Sequence, residues 1–119
     1  MQENISFLVD IRKMAEQGHA DAQFNLGLIC HNGESASRDD AEAAKWFLAA
    51  AEQGHEEAQF NLGMMYYNGN GVPQDNAAAV KWFLESAKQG HAEARLNLFL
   101  MYSNDEVAPD YTEDVILFL

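Results

Sequence analysis

Cysteine is almost absent from this chain, which has 119 residues and a single thiol at Cys30. One cysteine excludes an internal disulfide and is typical of a reducing compartment. Residues 1–4 contain no basic region, and no apolar run follows them, so we expect no secretory signal. These two absences favour a cytoplasmic location.

Long apolar runs are also missing. The longest, residues 115–119, falls far short of the roughly 20 residues that cross a bilayer, so we expect no membrane partner. The chain is nevertheless 48% hydrophobic, which is typical of a globular domain rather than a disordered segment. Its length predicts one domain, spanning residues 1–119.

Basic residues are scarce, with 7 Lys and Arg against 19 Asp and Glu and a net charge of −12. Such a surface repels phosphate backbones, so we expect no nucleic-acid partner. The acidic residues either solvate the outer faces of helices or attract a basic protein. The bias is strongest in residues 104–119, which hold no Lys or Arg but carry Asp105, Glu106, Asp110, Glu113 and Asp114.

Recognisable catalytic motifs are missing as well. The sequence contains no nucleophile–base–orienter set, phosphate-binding loop or paired acid motif. His31 is expected at the edge of a loop beside Cys30, and Ser35 and Ser37 are expected to be loop residues without a partner. We therefore predict no enzymatic activity and no cofactor.

The dominant feature of the sequence is a five-residue motif that recurs every 36 residues. Ala15–His19 recurs as Ala51–His55 and, with one change, as Ala87–His91. A fixed period of this length predicts a solenoid of stacked units. We predict an N-terminal capping helix and three units, the last one shortened, over residues 1–18, 19–54, 55–90 and 91–119.

Each unit is predicted to fold as two helices. Apolar residues over Glu56–Tyr67 follow the i, i+4, i+7, i+8 pattern of an amphipathic helix. Residues 68–73 interrupt it with two glycines and a proline. Asp75 can then cap a second helix, and Gly90 can end that helix in the left-handed conformation. The predicted fold class is all-α, an α/α superhelical solenoid of antiparallel helix pairs.

Glycines stand at equivalent positions inside two first helices. Gly27 and Gly63 each cost about 1 kcal/mol relative to alanine. A repeated cost implies a repeated gain, and we expect close approach of the second helix, with the Trp46 or Trp82 ring over the gap. The third unit has Phe99 at this position, which predicts looser packing.

These motifs resemble those of the Sel1-like repeat family, which is related to tetratricopeptide repeats. The resemblance depends on Ala58–Gly63, on residues 68–75, on Trp82–Phe83 and on Ala87–Gly90. It implies a right-handed superhelix in which first helices line a concave face and second helices a convex face. It also implies an interaction adaptor that binds a protein or peptide.

Two segments depart from the repeat pattern near its ends. Residues 5–14 predict a second helix without its own first helix, capped by Asn4 or Ser6. The last helix is shorter than its equivalent in the previous unit and ends on residues 117–119. The apolar side chains there either close the core or pair with a second chain, which would give a homodimer.

The first loop, residues 31–39, also departs from the pattern. It lacks the second glycine, the valine and the proline of residues 68–75, so we expect a different path. Asp39 and Glu42 still predict a capping box at the next helix.

Three histidines recur at the repeat spacing: His19, His55 and His91. Stacked units place equivalent atoms roughly 8–10 Å apart, the distance between packed helices. A zinc ion needs its ligands at about 2 Å. We therefore predict a structural role for these histidines and no metal site.

Repeat spacing assigns a set of residues to the concave face: Phe24, Asn25, Leu28, His31, Glu57, Phe60, Asn61, Met64, Tyr67, Glu93, Asn97 and Leu100, with Asp21, Leu96 and Ser103 beside them. Asn25, Asn61 and Asn97 form a column, one in each unit. Their amides either hold a peptide backbone or bond within the scaffold. The apolar members, with adaptable methionine among them, would add hydrophobic contact.

Two functions are compatible with this pattern. The first is an adaptor that binds a protein or peptide in the concave groove. The second is a small acidic inhibitor, of the immunity-protein type, that masks a basic partner and binds it less tightly as salt is raised.

Overall fold

The computed structural model describes residues 2–33 and 38–119. These residues form helices in the order α1 (Gln2–Glu16), α2 (Ala20–Asn32), α3 (Asp40–Glu52), α4 (Glu56–Asn68), α5 (Asn76–Lys88), α6 (Ala92–Ser103), a 3-10 turn (Pro109–Tyr111) and α7 (Thr112–Ile116). Each helix packs mainly on its neighbours in sequence. The molecule is elongated, with extents of 50 × 24 × 18 Å. The predicted all-α solenoid is confirmed.

The helices keep the 36-residue step of the sequence. First helices begin at Ala20, Glu56 and Ala92, and second helices begin at Asp40, Asn76 and Thr112. The short α7 therefore starts in register with α3 and α5. Helix α1 precedes the first helix pair, as predicted for an unpaired second helix.

The turn between units is a Schellman motif that occurs three times. Gly18, Gly54 and Gly90 have φ values of 97°, 91° and 95°. The amide of each following histidine bonds back to a carbonyl five residues earlier, as His91 does to Ser86 at 3.3 Å. Only glycine takes this left-handed conformation without strain, so the repeated Gln-Gly-His sequence sets the helix ends.

Asp39 and Asp75 cap the second helices as predicted. Their carboxylates accept from the amides of Glu42 and Ala78 at 3.0 and 3.1 Å. The predicted capping box of Asp39 and Glu42 does not form, because the amide of Asp39 donates to the carbonyl of Cys30 and Glu42 accepts from Arg12. The prediction that residue 4 or 6 caps the first helix of the chain was wrong, because α1 begins at Gln2 and both residues lie inside it. The loop serines 35 and 37, and most of the altered loop path, lie outside the described residues.

The ring over each helical glycine is phenylalanine, not the predicted tryptophan. A Cβ atom on Gly27 would lie 2.6 Å from Cε1 of Phe47, and one on Gly63 would lie 2.7 Å from Cδ1 of Phe83. Trp82 instead packs into the core shared with the preceding unit. The expected close approach of the two helices is present, and the residue that fills it was misassigned by one position.

The third unit packs less tightly. Phe99 takes the place of the helical glycine and is exposed. Val115 is fully buried in the core formed by α5, α6 and α7, and Phe118 packs against that core, whereas Leu117 is 80% exposed. Residues 115 and 118 therefore help to close the core, and the prediction that this segment pairs two chains remains a prediction.

Candidate functional site

A cavity of about 350 Å³ lies between the first helices of two adjacent units. Its walls come from the carboxyl-terminal halves of α2 and α4, together with α3 and the loop after α4. The lining residues are Leu28, His31, Phe47, Asn61, Met64, Met65, Asn68 and Asn70. A cavity of this size is typical of a small-ligand or side-chain site.

Four predicted groove residues meet at this cavity: Leu28, His31, Asn61 and Met64. They come from two different repeats, and only the stacking of the units brings them together. Sequence reasoning missed Asn68 and Asn70, because it treated them only as residues that interrupt the helix. Their repeated asparagine side chains beside a groove helix were the signal available in the sequence.

His31 lies in the last turn of α2 rather than at a loop edge, and it has partners. Its Nδ1 lies 2.8 Å from Oδ1 of Asp40, and Arg38 donates two bonds of 3.0 Å to the same carboxylate. These bonds, those from Arg38 foremost, hold the pKa of Asp40 below its usual range. Because an ionised carboxylate only accepts, His31 donates through Nδ1, which fixes its ring at the cavity.

His55 and His91 join neighbouring units through identical contacts. The amides of Ala58 and Ala94 donate to their Nδ1 atoms at 3.1 Å, so each histidine caps a first helix. Nδ1 therefore carries no proton, and Nε2 donates to a carboxylate of the preceding unit. His91 reaches Oε1 of Glu57 at 3.1 Å in this way. The structural role predicted for the three repeated histidines is confirmed for these two, whereas His19 precedes α2 without a side-chain cap bond.

The same histidines stack on two aromatic side chains of the predicted groove. Phe24 stacks on His55, and Phe60 stacks on His91, each with ring centroids 4.6 Å apart. Asp21 contacts Nε2 of His55 at 3.1 Å. These phenylalanine rings are half-buried, so one face of each is used inside the scaffold.

The remaining predicted groove residues are spread over the first helices and do not line the cavity. Tyr67 donates to Glu106 at 2.9 Å, and this bond raises the pKa of the Tyr67 hydroxyl. Asn97 donates to the carbonyl of Glu93 in its own helix at 2.8 Å, so one member of the asparagine column bonds within the scaffold. Exposed positions are Asn25, Glu93, Leu96, Leu100 and Ser103.

Buried glutamines clamp successive units together, and the sequence analysis missed them. Gln59 donates to the carbonyl of Ala51 at 3.1 Å and accepts from Gln89 at 2.8 Å. Gln23 makes the equivalent bonds one unit earlier, to the carbonyl of Ala15 and from Gln53. In the third unit this position is Arg95, which donates to the carbonyl of Phe118 at 2.6 Å.

Cys30 is buried in the core, and its thiol is a poor nucleophile. Burial, and secondly the charge of Glu42, raise its pKa from 9.0 to about 11. Among residues 2–33 and 38–119, no three His, Cys, Asp or Glu side chains lie together in a way that could hold a metal ion. Within the same residues, no helix combines the length and apolarity needed to cross a bilayer.

The repeat geometry corresponds to a known family. A family profile described as the Sel1 repeat matches residues 20–55 and again residues 56–91. These two stretches cover more than half of the sequence. The chain belongs to the Sel1 repeat family.

Solved structures of other Sel1 repeat proteins resemble this chain. A protective antigen of uropathogenic Escherichia coli with an SLR fold is 42% identical over 82% of this chain, with a TM-score of 0.79. A Sel1 repeat protein from Oxalobacter formigenes is 33% identical over 82% of the chain, with a TM-score of 0.73. The Helicobacter pylori cysteine rich protein B is 24% identical over 76% of the chain, with a TM-score of 0.73, which supports the fold alone.

This chain spans only part of those proteins: 21% of the Escherichia coli antigen, 39% of the Oxalobacter protein and 68% of the Helicobacter protein. None of the curated proteins matches it. Sel1 repeat proteins generally mediate protein–protein interactions and are typically non-enzymatic scaffolds.

Proposed function

We propose that this Sel1 domain is an interaction module that binds a peptide segment of a partner protein in the groove between α2 and α4. The observation that carries the proposal is the cavity in which Leu28, His31, Asn61 and Met64 converge. These residues belong to two units, so a ligand there would contact the solenoid where its repeats join.

The chemistry of the lining suits a peptide. Leu28 and Met64 are half-buried and offer apolar surface to a side chain, and methionine adapts to different shapes. Asn61, Asn68 and Asn70 each present a donor and an acceptor, which match a backbone amide and carbonyl. Asp40 holds His31 in one orientation at the same cavity, so this part of the site is ordered before binding.

A peptide selection against a blocked variant tests the proposal. Met64→Trp places a large ring in the cavity, and Met14→Trp places the same ring on the exposed face of α1 as a matched control. A phage library of random linear peptides is selected on the wild-type domain, and each recovered peptide is re-assayed on both variants. We expect peptides that bind wild type and Met14→Trp but lose at least tenfold in affinity on Met64→Trp.

The proposal is wrong if no recovered peptide distinguishes Met64→Trp from the control while circular dichroism shows both variants folded. Asn61→Ala adds a second measurement, since it leaves the cavity open but removes an amide. It should weaken the same peptides by roughly tenfold, the loss of about one hydrogen bond.

The second candidate is an acidic protein that masks a basic partner with its whole surface. Its support is the net charge of −12 and the carboxylates of residues 104–119. In that case, replacing Asp105, Glu113 and Asp114 by their amides would slow association with a basic partner, and Met64→Trp would leave it unchanged. The opposite result favours the groove.

A further inference from the structure

The two helices that form the groove carry no positive side chain. Helices α2 and α4 contain Asp21, Glu56 and Glu57 but no Lys or Arg. Basic residues lie elsewhere, at Arg12, Lys13, Arg38, Lys45, Lys81, Lys88 and Arg95. Arg38 is the basic residue tied to the cavity network, and both of its bonds there go to Asp40.

Two carboxylates on α2 and α4 are positioned by contacts with the histidines of the following unit. Asp21 is 94% exposed and Glu57 is 56% exposed, although each has one oxygen bonded to a histidine. Helices α2 and α4 also direct their carboxyl-terminal ends, with their partial negative charge, towards the cavity. The carboxylates of α2 and α4 lie in the first turns, with no Lys or Arg on the same helices to offset their charge.

The cavity itself is different, because its lining contains no carboxylate. Leu28, Phe47, Met64 and Met65 supply apolar surface there, and three asparagines supply neutral polar groups. A charged side chain would lose hydration in this cavity without gaining a partner, whereas an apolar one would not. The uncharged cavity at the carboxyl-terminal halves of α2 and α4 is thus separate from the carboxylates in their first turns.

We propose that the ligand of the groove is an extended basic segment of a partner protein, with one apolar side chain in the cavity and Lys or Arg residues towards the first turns of α2 and α4, where Asp21 and Glu57 lie. This inference rests on the proposed peptide-binding function and names the class of peptide. The apolar side chain supplies contact in the cavity, and the basic side chains speed the encounter.

The same peptide selection separates the two proposals. Peptides whose binding is lost in Met64→Trp should be enriched in Lys and Arg over the starting library and should share one apolar position. If such cavity-dependent peptides are acidic or show no charge bias, the basic-ligand inference is wrong and the groove function stands. If no peptide depends on the cavity, the groove function itself fails.

Synthetic forms of the strongest recovered peptide then give magnitudes by fluorescence anisotropy. Replacing its apolar anchor by alanine should weaken binding roughly 10- to 100-fold, as expected for a buried side chain. Replacing its Lys residues by Gln should weaken binding several-fold and reduce the dependence on salt. Full binding by the Gln peptide would overturn the inference.

A pair of charge variants provides the matched control on the protein. Glu57→Gln removes a groove charge and keeps an oxygen acceptor for His91, and Glu52→Gln removes an exposed charge from α3. Both change the net charge equally. We expect Glu57→Gln to weaken the basic peptide several-fold more than Glu52→Gln, and equal effects would show that only the overall charge matters.

Discussion

At the level of single residues, Tyr67 shows how a groove position becomes tied to the next unit. Its hydroxyl donates to Glu106, 39 residues away in sequence, in the loop after α6. A proton lost from Tyr67 would leave two anions in contact, which is why the bond raises the pKa of the hydroxyl above 10.0. The contact therefore stabilises the fold fully below that value, and its contribution disappears as the pH rises through the raised pKa.

Glu106→Gln should return the titration of Tyr67 towards its ordinary range, because the charge that opposes ionisation is gone. The measurement is the ultraviolet absorbance of tyrosinate during an alkaline titration. The signal of Tyr67 is obtained by subtracting the curve of Tyr67→Phe from that of the parent protein. An unchanged midpoint in Glu106→Gln would show that the bond does not form in solution.

The thiol of Cys30 should react slowly in the native protein. A rise in pKa from 9.0 to about 11 leaves roughly 100-fold less thiolate near neutral pH, and only the thiolate is a nucleophile. We expect alkylation by iodoacetamide at about pH 8 to be at least that much slower in the folded protein than in urea. Equal rates would mean that Cys30 is accessible and that the packing around α1 is looser than described.

At the level of helices, the glycine and phenylalanine pair sets the distance between the two helices of a unit. Phe83 is fully buried, and its ring fills the space that a side chain on residue 63 would need. Alanine is the better helix former by about 1 kcal/mol. At residue 63, helix propensity therefore favours alanine whereas packing against Phe83 favours glycine, and the net effect on stability can be measured.

Gly63→Ala should destabilise the domain by about 1–3 kcal/mol, because the packing conflict outweighs the gain in helix propensity. Urea denaturation gives the free energy of unfolding. Phe83→Leu should cost less in the Gly63→Ala background than in wild type, since the smaller side chain removes the conflict. Additive effects of the two substitutions would contradict the contact.

Helix boundaries were predictable because their causes are local. Gly54, Gly90 and the caps Asp39 and Asp75 act within a few residues of the helix ends they determine. The ring over Gly63 was not predictable to one position, since Trp82 and Phe83 differ only in the rotation of α5 about its axis. Asn68 and Asn70 join the cavity only through stacking of two units, so the sequence marked them as polar residues beside a groove helix but not as cavity residues.

At the level of the whole molecule, stability is expected to vary along the solenoid. Helices α3 and α4 pack on neighbours at both sides, whereas α7 contacts α6 and the adjoining 3-10 turn. In stacked repeats each unit is stabilised by its neighbours, so the ends open first. In the third unit the position equivalent to Gly63 is Phe99, whose side chain is exposed.

Amide hydrogen exchange should therefore be slowest in α3, α4 and the first half of α5, and fastest in α7. Mass spectrometry of peptic fragments measures this gradient directly. Substituting Val115 by alanine should raise exchange in α6 as well, because Val115 is the buried contact between α7 and the core. Leu117→Ala, at an exposed position, serves as the control and should change little. Uniform exchange along the chain would show a single cooperative unit instead.

The residue that replaces glutamine in the third unit has a practical consequence for protein engineering. Arg95 donates to the carbonyl of Phe118 and has no acceptor, so it cannot supply the side-chain oxygen with which Gln23 and Gln59 accept from the glutamine of the following turn. Anyone grafting a consensus module after this domain would thus have to restore glutamine at 95 and glycine at 99 first. Without both changes, the added module would lack the glutamine bonds and the close helix approach that join the other units.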